Sequence, residues 1–115
     1  MATRAGPLGD GRVRLRRMLT ATLVLLCITI PAGALVAGLK AGLIYNSFPS
    51  MGGQVLPAEA WDMSPWWRNF LDNQTLVQFD HRSLAELCWL GAVVIWLSSL
   101  RQPLTPRQRL AVALV

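Results

Sequence analysis

Two apolar runs limit what this chain can become. Residues 18–45 and residues 84–100 are built from Leu, Val, Ile, Ala and Trp, and each carries one charged side chain, Lys40 and Glu86 respectively. A helix of about 20 mostly apolar residues crosses a bilayer core, because it satisfies its backbone polar groups internally. The first run is long enough alone. The second is a little short, and it extends back through residues 75–79 as the same helix. The chain has 115 residues, 53% apolar and 15% charged, which is too apolar and too poor in charge for a soluble domain of this size. Its length allows one domain. The expected fold is all-α and integral to a membrane, with two transmembrane helices forming a hairpin. Its parts are a basic N-terminal arm (1–17), a first transmembrane helix (18–45) and an outer loop with short interfacial helices (46–73). A second transmembrane helix (74–100) and an inner basic segment with the start of a possible third helix (101–115) follow.

The net charge of +5 is unevenly spread. Arg4, Arg12, Arg14, Arg16 and Arg17 precede the first span, and Arg101, Arg107 and Arg109 follow the second. The stretch between, up to Asp80, carries Glu59, Asp62, Asp72 and Asp80 against Arg68 alone. By the positive-inside rule both termini face the cytoplasm or the mitochondrial matrix, and the loop faces the other side. The arginines hug a span and lack interleaved aromatics, so a nucleic-acid partner is not expected; membrane lipid is. A signal peptide is disfavoured, since its apolar region is roughly 7–15 residues. Pro7 and the nearby glycines break up the continuous amphipathic helix that a transit peptide needs, so residues 1–17 are read as a short, poorly ordered arm.

Inside the spans, Cys27 and Cys88 show no metal-ligand spacing and read as small packing residues. Pro31 interrupts the hydrogen-bond ladder of the first helix. Beyond it, Gly33, Ala34, Ala37, Gly38, Ala41 and Gly42 form small-xxx-small ridges. Such ridges let backbones approach closely in lipid, either for helix packing or to seat a flat cofactor. Lys40, in the last turns, reaches for the outer interface. The loop is broken by Pro49, Gly52, Gly53, Pro57 and Pro65. Its Trp61, Trp66 and Trp67 read as an aromatic belt or a lid. Pro57 and Ser64 open short interfacial helices.

His81 is the chain's lone histidine. On a helix it shares a face with Gln78, Leu84, Ala85 and Cys88, a small apolar surface below the imidazole. An ionisable group at a membrane helix mouth is a functional-site hypothesis; the competing reading is an interfacial imidazole bonded to Asp80 or water. Glu86 stands four residues after Arg82, the spacing of a helical ion pair.

Three blocks then carry a resemblance. Gly38-Leu39-Lys40-Ala41-Gly42-Leu43-Ile44-Tyr45-Asn46-Ser47-Phe48-Pro49 is similar to the Gly-Leu-x-Ala-Gly-x-x-Tyr-Asn-[Thr/Ser]-[Phe/Trp]-Pro signature of heme A synthases. Ser64-Pro65-Trp66-Trp67-Arg68-Asn69-Phe70 and Val77-Gln78-Phe79-Asp80-His81-Arg82 resemble that family's next two blocks, in the same order and at similar spacing. The resemblance implies a protein of eight helices in two similar four-helix halves. It implies oxidation of the C8 methyl of heme O to the formyl group of heme A, for cytochrome c oxidase. This chain would be the first two helices of the second half, so its hairpin is half of a four-helix bundle. In that half one histidine of the Gln-Phe-x-His-Arg block and one on the last helix hold heme B. Carried over, His81 would be an axial ligand of the iron. Arg82, one residue on and near the interface, is placed to meet a heme propionate as a charge-assisted pair.

Lys40 and Glu86 depart from the family pattern, and a second histidine is missing. The expectation is a fragment whose catalysis alone is doubtful. Its partners would be heme, the remaining helices of the parent or a partner chain, and cytochrome oxidase assembly factors. The alternatives are a non-enzymatic two-span heme-binding or assembly subunit and a plain membrane hairpin. Residues 110–115 look like the opening of a further span.

Overall fold

The computed structural model describes residues 7–114. Among them the regular elements are helices: α1 (Pro7–Gly38), three short 3₁₀ turns (Ala41–Leu43, Ala58–Trp61 and Trp66–Phe70), α2 (Gln74–Ser99) and α3 (Pro106–Ala113). Two of them are long and apolar enough to cross a membrane, and only 6% and 11% of their most apolar windows are buried. Core helices of a soluble protein would be mostly covered, so these side chains face lipid or other helices. At about 1.5 Å per residue, the 26 residues of α2 reach about 39 Å, more than the ~30 Å hydrocarbon layer.

α1 begins at Pro7, well ahead of the expected Met18, so residues 7–17 are helix and not a loose arm. The reason is local. Proline is favoured in the first turn, where its missing N–H costs nothing, and Asp10 complements the helix dipole there. The glycine penalties, about 1 kcal/mol each, are outweighed by a helix propagating from an apolar span. Arg4 lies outside the described residues. α1 also stops earlier than expected, at Gly38. Lys40 takes a left-handed backbone (φ 53°), and its N–H bonds Ala37 O at 3.2 Å. Lys40 thus sits in the turn past the helix and not in its last turns.

The chain separates into two compact units, residues 26–86 and residues 1–25 with 87–115. α1 and α2 each contribute to both. In the first of these units the loop after α1 is organised by two buried asparagines. Asn73 caps α2, its Oδ1 accepting from the N–H groups of Thr75 (3.0 Å) and Leu76 (3.3 Å). Its Nδ2 donates to Glu59 O (2.7 Å) and Asn69 Oδ1 (3.0 Å). Asn69, fully buried, donates to the carbonyls of Met63 (3.1 Å) and Trp66 (2.8 Å) and accepts from the Met63 N–H (3.0 Å). A tight turn at Met51–Gln54 uses Gly52 and Gly53 at φ 62° and 85°, the backbone that such turns require. Trp61, Trp66 and Phe70 meet edge to face and stay largely exposed.

In the other unit, Gly91 on α2 lies against Thr22 of α1: a Cβ there would stand 2.7 Å from Thr22 Oγ1. α3 opens on a capping box between Thr105 and Gln108, with Pro106 in its first turn.

Candidate functional site

The site grows from the first turns of α2. Gln74, Gln78 and Arg82 recur every four residues, so they share one helix face. Each donates to a backbone carbonyl that the early end of α1 leaves free of helix partners. Gln74 Nε2 bonds Leu39 O (2.6 Å), and Gln78 Nε2 bonds Tyr45 O (2.9 Å). The Arg82 guanidinium bridges Tyr45 O (2.6 Å) and Ser47 O (2.7 Å). Three side chains therefore tie residues 39–47 to α2, which gives the first and third sequence blocks one physical purpose. The expected Arg82–Glu86 pair does not form, because the guanidinium is committed to these carbonyls. Among the described residues the salt bridge present is Arg68–Asp72 at 3.2 Å, in the loop.

His81 lies one turn past Gln78, half-buried. Its imidazole rests on α1 at Gly33. A Cβ at Gly33 would stand 2.9 Å from His81 Cε1, 3.4 Å from Nδ1 and 3.5 Å from Nε2. His81 Nδ1 is buried and has no hydrogen-bond partner, and neither has Gln78 Oε1. The bond from Nδ1 to Asp80 that an interfacial histidine would use is thus not made. The small-residue contact falls at Gly33, and not at Gly38 or Gly42. A Cβ at Gly38 meets nothing within 4 Å, and one at Gly42 only Val36 at 3.7 Å. The two are not on one helical ridge, since α1 ends at Gly38.

Arg82 also borders a cavity of about 390 Å³ with Phe79, Ser83, Glu86, Met51 and Val55. His81 is not in its lining, as expected for neighbours turned about 100° on a helix. Nearby, the Tyr45 phenol donates a hydrogen bond to the Glu59 carboxylate. That bond holds the Glu59 carboxyl below its usual range and raises the Tyr45 phenol. Neither Cys27 nor Cys88 is in a disulfide. No group of three or more His, Cys, Asp or Glu able to hold a metal ion occurs among the described residues.

The sequence reading named His81, Arg82 and the small-residue stretch that includes Gly33. It missed Gln74 as a strap and Asn69 and Asn73 as the frame of the loop. Asn73 was within reach, since an asparagine directly before an apolar helix is a start signal.

Residues 3–115 match the family model described as cytochrome oxidase assembly protein, COX15-CtaA. Heme A synthase of Nitrosospira multiformis is 45% identical over 91 residues, covering 79% of this chain and 26% of that protein. Heme A synthase of Paracoccus denitrificans is 45% identical over 93 residues, covering 81% of this chain and 24% of that protein. Heme A synthase COX15 of Bos taurus is 44% identical over 99 residues, covering 86% and 24%. The chain spans about a quarter of the length of the relatives it matches. No solved structure matches it.

Proposed function

The chain belongs to the cytochrome oxidase assembly protein family, and from that premise we propose that it forms one side of the heme B site of a heme A synthase. The parent reaction in this reading is oxidation of the heme O C8 methyl to a formyl group, supplying cytochrome c oxidase. The observation that carries the reading is the imidazole of His81. It is half-buried beside a membrane helix, its Nδ1 is unpartnered, and its room is kept by the missing side chain of Gly33.

The donor set fits this group. A bare metal ion needs several protein ligands, and no such cluster exists among the described residues. Porphyrin supplies four ligands itself, so a lone histidine suffices for one axial position. His81 would hold the iron, and a second axial ligand would come from other helices of the parent. Arg82 would meet a propionate as a charge-assisted pair, with guanidinium donors beyond the two on Tyr45 and Ser47. Bound there, the heme supplies one-electron redox chemistry. The chain's own residues orient it: Gly33 sets the imidazole's position, and Gln74, Gln78 and Arg82 hold the loop against α2.

The charge asymmetry supports a membrane orientation with both ends in the bacterial cytoplasm or the mitochondrial matrix. The test is titration of heme B into the micelle-reconstituted chain and its His81→Ala variant. The wild type is expected to bind at least tenfold more tightly. Equal affinity would overturn the assignment.

A further inference from the structure

The unit formed by residues 1–25 and 87–115 holds a second cavity, of about 240 Å³, which shares no lining residue with the His81 site. Its lining is divided in character. Arg14 of α1 and Arg101, just past α2, supply two guanidinium groups; Leu15, Val94 and Leu97 supply an apolar wall, with Ser98 between. Among the described residues neither guanidinium has a hydrogen-bond or ion-pair partner, although Asp10 stands one turn before Arg14. The Gln102 carboxamide also lines the cavity, and its Oε1 is buried without a donor. It is wedged where a Cβ on Gly11 would stand 2.6 Å from that oxygen, so Gly11 makes its place.

We propose that this cavity binds one anionic phospholipid, its phosphate between Arg14 and Arg101 and the start of an acyl chain along Leu15, Val94 and Leu97. Charge complementarity selects the headgroup. Guanidinium pairs are suited to phosphate because their planar forks donate in parallel. The apolar wall selects a lipid over a free anion, since inorganic phosphate would leave Val94 and Leu97 uncovered. Basic pockets between helices at the inner face of a membrane bind lipid headgroups by the same chemistry. This site is independent of the heme reading, and its test does not involve heme.

The test is native mass spectrometry of the full 115-residue chain, released from micelles containing equal phosphatidylglycerol and phosphatidylcholine. One retained phosphatidylglycerol, with no retained phosphatidylcholine, is expected. The Arg14→Gln, Arg101→Gln double variant should bind phosphatidylglycerol at least roughly thirtyfold more weakly, as the loss of two charge-assisted contacts to the phosphate implies. The charge-matched Arg107→Gln, Arg109→Gln variant, whose arginines line neither this cavity nor those beside Arg82 and Arg16, should bind as the wild type does. Ser98→Trp fills the cavity without altering charge and should also release the lipid; it carries the test if the double variant loses helix. Equal losses in both arginine pairs would mean diffuse attraction and overturn the site. So would retention in Ser98→Trp, or displacement of the lipid by millimolar inorganic phosphate.

Discussion

Gly33→Ala is the sharpest perturbation of the site. The new methyl would stand 2.9 Å from His81 Cε1, whereas carbon atoms pack best at about 3.5–4.0 Å. The imidazole must therefore move by roughly 0.6 Å or more, or the helices must part. Overpacking of this kind costs about 1–3 kcal/mol. Alanine for glycine in a helix interior returns about 1 kcal/mol, so the net loss is expected between about 0 and 2 kcal/mol. Gly38→Ala, at the last residue of α1, is the control without overpacking, because nothing lies within 4 Å of its Cβ position. Gly33→Ala should therefore be the less stable of the two in thermal unfolding followed by circular dichroism in micelles. Position is the more direct readout. The chain has one histidine, so its Cε1–H resonance is unambiguous in a proton NMR spectrum. Gly33→Ala should shift it and Gly38→Ala should not. An unmoved resonance together with matched stabilities would refute the contact on which the site rests.

Other consequences are independent of heme. Asn69→Ala removes four hydrogen bonds around a fully buried side chain; it should cost about 2–4 kcal/mol and speed amide exchange at Met63. Tyr45 is the single tyrosine, so phenolate absorbance follows it alone. Its pKa should lie above the ordinary phenol range and fall back in Glu59→Gln. For Glu59, a folded pKa below the unfolded one means stabilisation present above the unfolded carboxylate range (about 4.3) and lost as pH falls through the folded value. Glu59→Gln should therefore flatten the acid limb of loop stability measured by proteolysis. A cysteine replacing the exposed Gln54, in a Cys27→Ala, Cys88→Ala background, should react with a membrane-impermeant maleimide from the outer side; labelling from the inner side alone would reverse the orientation.

Much of this was legible in the chain, for identifiable reasons. Length and apolarity announced α1 and α2, since a bilayer demands long uninterrupted helices. The order of three motif blocks pointed to the family. What stayed hidden depended on where backbone groups find partners. The stop of α1 at Gly38 could not be read from apolar residues that continue to Tyr45. It follows from the loop carbonyls being taken up by Gln74, Gln78 and Arg82, a long-range arrangement. The same competition removed the expected Arg82–Glu86 pair, because helical spacing permits an ion pair without selecting it over nearby carbonyls. The small-residue stretch was visible, but which of its glycines makes the contact was not, and the contact falls at Gly33. At the other end, Pro7 read as a helix breaker yet serves as a helix start.

The proposed ligation of heme iron by His81 can be tested directly. One histidine in the chain makes an isotope experiment decisive. The chain is produced with ¹⁵N-histidine, loaded with heme B, and its iron-centred paramagnetic signal is examined by electron–nuclear double resonance. Ligation by His81 predicts a strong ¹⁵N hyperfine coupling from a single imidazole, absent in unlabelled protein and in His81→Ala. Heme bound with no ¹⁵N coupling would contradict it.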